Sequence, residues 1–511
     1  MADLVIADGL VVNASGARRA HVVVENGRIA AILDATEPVP AADRVINADG
    51  RAVIPGGVDG HCHVAQVTGR YRTLDDFAIT STAALWGGTT TIVDFGIPRD
   101  DSETPLQAAR NKLALAKESR CDVALHGSVV SWDDTVPAQL EELAALGIRS
   151  VKMYMTNRGS TMADNDTVLK VMKEMVRLDG LTYIHAEHDA MIVHCTREHA
   201  EADRIGIEHL HETRPELTEE ASVREVLAMA EYTGAPVYFV HQSTPGAVDL
   251  VTDARARGLD AHSETCPHYL VLDDGVYASR FPEWFACCPP MRSRKTVSAL
   301  RGRFADGSIH TISSDHSCYD LTQKRERTDD IRQMPHGLPG VETRMPVAFT
   351  ALSEAFLESR TGVETAPGTA ATMDNEALLC RFVEMFSTAP ARINAIPGKG
   401  VIAPGYDADF VIFDPGEART VVASSLHMGT DFSPFDGKVL HGWPQVVVAA
   451  GTVVLDEAGF HDPGPVGRFL SRLGYRETAT HPGTMDASAP LLPGLQAAAH
   501  SARPNVGAKA K

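Results

Sequence analysis

The sequence predicts a (β/α)8 barrel with a small β-sandwich formed from its N- and C-terminal segments, on the strength of three observations. Short apolar runs alternate with helical patterns eight times through the middle of the chain. Both ends instead carry short β-rich runs with no helix-length amphipathic pattern among them. Metal-binding side chains close one middle run after another, on the side where barrel enzymes place their chemistry.

At the N-terminal end the β-rich runs are 4–6, 10–12, 21–25 and 28–32, and Asn26-Gly27 is a two-residue hairpin signal. Runs 409–413 and 446–454 repeat that style near the other end, with Gly451 in a turn. The barrel runs are 52–64, 89–95, 122–130, 148–153, 181–185, 237–241, 260–265 and 309–314. Segments 106–119, 167–179, 222–233 and 244–257 lie between them, with apolar residues three and four apart as in helices. Gly87-Gly88 reads as a helix stop. The rival is an open doubly wound sheet, but no Gly-rich phosphate turn follows an early strand. The expected division is 1–54 plus 395–465 for the sandwich, 55–394 for the barrel, and 466–511 for an extension that is partly mobile or an oligomer arm.

Composition narrows the function. Across 511 residues, 44% are hydrophobic and 22% charged, ordinary values for a globular chain. A net charge of -20 argues against nucleic acid and anionic membranes as partners. The start shows no secretory signal, and no apolar run is long enough to cross a bilayer. Eight cysteines without a C-x-x-C pair suit reduced thiols and a cytoplasmic enzyme.

The chemistry begins with His61-Cys62-His63. Residues two apart on a strand share a face, so both imidazoles converge on one point. Taken alone, the pair is more often two ordinary polar residues. Lys152, His185, His241 and Asp315 then close the fourth, fifth, sixth and eighth runs. Four imidazoles and a carboxylate suit divalent metals such as zinc. A buried lysine beside them makes sense as a carbamate formed with CO2, whose two oxygens can bridge metals about 3.5–4 Å apart. Its structural alternative is a salt bridge to Asp315 or Glu187.

These residues resemble the cyclic amidohydrolases, most closely the dihydropyrimidinases and hydantoinases. The resemblance rests on His61-Cys62-His63 after Pro55-Gly56-Gly57-Val58-Asp59, on Lys152-Met153-Tyr154-Met155, and on His185-Ala186-Glu187. It continues in Glu264-Thr265-Cys266-Pro267, Pro289-Pro290-Met291-Arg292, Asp315-His316 and the stretches 337–344 and 400–409, spanning residues 4–475. It implies His61, His63 and Asp315 on a more buried metal and His185 and His241 on a more exposed one, with carboxylated Lys152 bridging them. It also implies Asp315 as the proton carrier, main-chain contacts to the substrate ring at Cys288 and His336, and a homotetramer. The expected reaction opens a cyclic amide or ureide, of dihydropyrimidine or hydantoin type, to an N-carbamoyl amino acid.

Two positions bear on the substrate. The family's oxyanion-stabilising tyrosine, five residues after the bridging lysine, is Asn157 here; an amide can also donate, with shorter reach. Dihydroorotases carry an arginine two residues after the second histidine, where this chain has Ala65. Allantoinases share the ligands and lack the tyrosine, so allantoin and cyclic imides are the alternative substrates. A non-catalytic scaffold of the dihydropyrimidinase-like kind would have lost ligands that this chain keeps. In the loop 65–73, Arg70 and Arg72 read as solvated arginines before contacts to an acidic substituent, and Cys287 and Cys288 as small buried hydrophobes.

Overall fold

The computed structural model describes residues 1–100, 102–361, 368 and 376–476. Eight parallel strands pair in chain order: Gly57–Cys62, Thr89–Gly96, Asp122–Ser128, Ser150–Tyr154, Leu181–His185, Val237–Phe239, Ala261–Thr265 and Thr311–Ile312. A parallel bridge from Cys62 to His316 brings the first strand against the segment after the last and closes the ring. Helices cover the outside, so the strands are buried on both faces and read as near-continuous apolar runs. Their starts follow local chemistry: Thr104 caps the helix Pro105–Leu115, whose first residue is a proline, and Asp164 caps Asn165–Arg177.

The run 52–64 is not one strand. Ala52–Pro55 pairs antiparallel with Phe410–Phe413 in the β domain, and only Gly57–Cys62 belongs to the barrel. Gly56 is the hinge between them. Its N–H donates to the Asp409 carbonyl at 2.9 Å, and a Cβ there would lie 2.3 Å from the Thr90 hydroxyl. Continuous hydrophobicity hid the break, because both halves are buried, each in a different core.

The two chain ends form one hydrogen-bonded sheet of nine strands in which Ala52–Pro55 joins the N-terminal strands to Phe410–Phe413. Leu4, Ile6, Val22 and Val53 share a core with Phe410, Ile412, Val446 and Val448, so the sheet encloses its own apolar interior. The runs 4–6 and 10–12 fuse into the strand Ala2–Asn13, with a bulge between Ile6 and Gly9. Asn26 and Gly27 have φ of 52° and 72°, the two left-handed residues that a type I′ hairpin turn requires.

At the far end of the barrel, residues 466–476 lie against the N-terminal ends of the strands rather than standing free. Val123 donates to the Arg468 carbonyl at 2.9 Å, Leu470 donates to Val123 at 2.8 Å, and the Tyr475 hydroxyl meets Asp260 at 2.9 Å. The remainder of the expected arm, 477–511, lies outside the described residues.

Candidate metal centre

All six side chains that close the barrel runs meet at the carboxyl-terminal mouth. His61 Nε2 lies 3.2 Å from His63 Nε2, and each of these atoms lies 3.1 Å from Asp315 Oδ1. Across the site, His241 Nε2 lies 2.9 Å from His185 Nδ1. The two clusters adjoin, with the His61 and His241 rings 5.5 Å apart. His241 and Asp315 have φ of 39° and 48°. Left-handed backbone at non-glycine residues is costly and is held here by the surrounding structure, which explains why the sixth and eighth strands stop short of the predicted ends.

Lys152 is fully buried between the clusters, and its Nζ has no hydrogen-bond partner among the described residues. The salt bridge to Asp315 or Glu187 is therefore not formed. Phe95 and Tyr154 flank the amine, with ring centroids at 5.2 and 5.0 Å. Burial brings its pKa down to about 8. A buried amine without an acceptor is out of place in a packed core, and it fits a group that has yet to acquire its ligand. The donor set, nitrogen-rich with one carboxylate and that amine, fits divalent cations.

Glu264 and Glu187 orient the histidines. His61 Nδ1 lies 2.8 Å from Glu264 Oε1, which also accepts the His241 backbone N–H at 3.0 Å, while Tyr238 donates to the other oxygen at 2.7 Å. His185 Nε2 lies 2.7 Å from Glu187 Oε2, and Arg214 holds that carboxylate at 2.6 Å. Burial alone would raise the pKa of Glu187, but Arg214 and His185 outweigh it and hold it at about 2. Sequence reasoning passed over Glu264 as a working residue. The signal was present: it lies one residue before the end of the seventh run, at the same end of the barrel as the ligand candidates on the others.

A cavity of about 700 Å3 opens above the cluster and is lined by Lys152, His185, His241 and Asp315 together with Asn157, Cys288 and His336. Cys288 Sγ lies 2.8 Å from His336 Nδ1. Burial pushes the thiol up to about 12 and pulls the imidazole down to about 3, so both partners of this contact are neutral. Asn157 sits on the exposed loop after the fourth strand, with φ of 72° and its amide 3.4 Å from the Thr161 hydroxyl. Tyr154, two residues beyond Lys152 on the same strand face, lines the cavity with its ring 5.5 Å from that of His185.

A sequence profile of the amidohydrolase family matches residues 52–454. The D-hydantoinase of Ralstonia pickettii is 34% identical over 481 residues, covering 93% of this chain and 100% of that protein. A D-phenylhydantoinase of Escherichia coli is 30% identical over 92% of this chain and 98% of its own length. Among solved structures, dihydropyrimidinase from Brevibacillus agri superposes with a TM-score of 0.84 at 30% identity, covering 93% of this chain and 99% of that one. L-Hydantoinase from Arthrobacter aurescens gives 0.81 at 26% identity, covering 92% and 100%. The chain belongs to the amidohydrolase family, in the branch of cyclic amidohydrolases that holds the hydantoinases and dihydropyrimidinases.

Proposed function

We propose that this enzyme opens a hydantoin or dihydropyrimidine ring to an N-carbamoyl amino acid at the six-residue cluster. The observation that carries the site assignment is the unpartnered, fully buried Lys152 amine between two convergent donor clusters. In this reading His61, His63 and Asp315 hold one divalent cation and His185 and His241 a second. Lys152 would join both sets as a carbamate formed with CO2, for which a neutral amine is the reactive form. Zinc suits the imidazole-rich set best.

The cations, when bound, supply an activated water and a polarised ring carbonyl. The rest falls to the chain. Asp315 takes the proton from the attacking water and returns it to the ring nitrogen as the C–N bond breaks and the new C–O bond remains. Glu264 and Glu187 keep the imidazoles in the tautomers that aim lone pairs inward. The segments at Cys288 and His336, tied by the thiol–imidazole contact, offer main-chain groups to the ring. We assign the oxyanion donor to Tyr154, whose hydroxyl has no hydrogen-bond partner among the described residues, ahead of Asn157, whose amide is turned to Thr161.

Absence of the family tyrosine at Asn157 keeps allantoin and cyclic imides as the second reading. A panel of hydantoin, dihydrouracil, allantoin and succinimide on metal-loaded enzyme separates the two; turnover of allantoin alone would reverse the order. Lys152→Ala should bind less than two equivalents of metal by elemental analysis, with partial rescue by short carboxylic acids. Two full equivalents in that variant would remove the bridging role. We also propose the domain division 1–54 plus 395–465, 55–394 and 466–511, a homotetramer and a cytoplasmic setting. Light scattering of the purified protein tests the assembly. Among the described residues no helix is long and apolar enough to cross a membrane.

A further inference from the structure

The cavity above the cluster is lined by arginines in a chain whose net charge is -20. Its wall carries Arg70, Arg99, Arg158, Arg214 and Arg332 besides Lys152, and the one acidic side chain among the lining residues is Asp315 at the floor. Arg214 is committed to the buried Glu187. The other four stand at the mouth with side chains 50–60% exposed.

Each of the four is held by a carboxylate that does not line the cavity. Arg70 pairs with Glu326 at 3.1 Å, Arg99 with Glu103 at 3.4 Å, Arg158 with Asp189 at 2.5 Å and Arg332 with Asp330 at 2.8 Å. The arginines line the cavity and their carboxylate partners do not. Arg158 shows this best. Its Nε donates to Asp189, a side chain 4% exposed, and its two terminal nitrogens have no partner among the described residues. A guanidinium anchored along one edge keeps a planar pair of N–H donors for a second carboxylate and loses little side-chain freedom when it binds one.

Asp189 opens the helix Asp189–Glu201 that follows the fifth strand, whereas Arg158 lies on the loop after the fourth, six residues past Lys152. The ion pair therefore fixes an arginine above the floor where the ring is opened. Because no partner carboxylate of these arginines is among the lining residues, an anion entering the cavity meets guanidinium groups first. From these observations we infer that the physiological substrate is a ring bearing a carboxylate on its exocyclic substituent, read by Arg158 and steered by Arg70, Arg99 and Arg332. This inference rests on the ring-opening function proposed above and names the substrate class of that site.

The test compares 5-(2-carboxyethyl)hydantoin with its neutral isostere, 5-(2-carbamoylethyl)hydantoin, on metal-loaded enzyme. The expected kcat/KM ratio favours the carboxylate roughly tenfold or more, as for a hydrogen bond to a charged group. That ratio should shrink as salt rises from about 0.05 to about 0.5 M, and should fall towards one in Arg158→Gln. A ratio near one in the unmodified enzyme, with both rings opened, overturns this inference and leaves the ring-opening function standing. A ratio that Arg158→Gln leaves intact overturns the assignment to Arg158. Failure to open either ring, unsubstituted hydantoin or dihydrouracil overturns the function and the inference together.

Discussion

Glu264 touches both halves of the cluster: its Oε1 meets the His61 ring and the His241 backbone amide, and its Oε2 takes the Tyr238 hydroxyl. Replacing it by glutamine keeps the shape and removes the charge that fixes the His61 tautomer. We expect Glu264→Gln to lower kcat about 10–100-fold with weaker metal retention, read by steady-state kinetics and elemental analysis. Unchanged activity and metal content would reduce Glu264 to a packing residue. Tyr154→Phe should lower kcat about 100-fold with little change in KM, and Asn157→Ala should do much less; the reverse order would return the oxyanion role to Asn157. The convergence of the six side chains was legible because strand alternation and carboxyl-end placement constrain them in one dimension. The hydrogen bonds of Glu264 were not, since they join residues 23 and 203 positions apart.

Between elements, the barrel seam needs a special device because its last strand is only Thr311–Ile312. Arg344 supplies it from the fully buried start of the helix Arg344–Thr361. It donates to the Val58 carbonyl of the first strand at 3.2 Å, the Ile312 carbonyl of the eighth at 2.9 Å and the Thr89 hydroxyl of the second at 2.9 Å. Asp59, 3.6 Å away, balances its charge, and its guanidinium lies over the Phe386 ring at 4.0 Å. Arg344→Met leaves Asp59 buried without its partner and three acceptors unpaired. Destabilisation of about 3–5 kcal/mol is expected, measured by urea unfolding of the apoenzyme; a loss below about 1 kcal/mol would show that the seam closes without it. Element order and type were legible from alternating periodicity. The break at Gly56 was not, because one apolar run serves two cores.

For the whole molecule, the proposed metal ligands come from five strand ends spread over residues 61–315. A group that binds all of them at once favours the folded chain over the unfolded one. Chelation should therefore lower Tm by roughly 5 °C or more with restoration on adding zinc, followed by calorimetry. An unchanged Tm would mean that the barrel holds its mouth together unaided. The strap 466–476 makes its contacts at the opposite end, through Arg468 on Asp122 and Arg472 on the Leu125 carbonyl. Its loss should cost stability while leaving the cavity walls in place.

The sequence by itself determined the barrel, the β-rich ends and the identity of the six converging side chains, because a strand period of two and the βα rhythm are local properties of the chain. Where the strands stop, how Glu264 couples the two donor clusters, and the gathering of arginines at the cavity mouth were decided only in three dimensions. Backbone strain at His241 and Asp315, the burial of Lys152 and the anchoring of Arg158 by Asp189 each depend on neighbours that the fold brings together from distant parts of the chain.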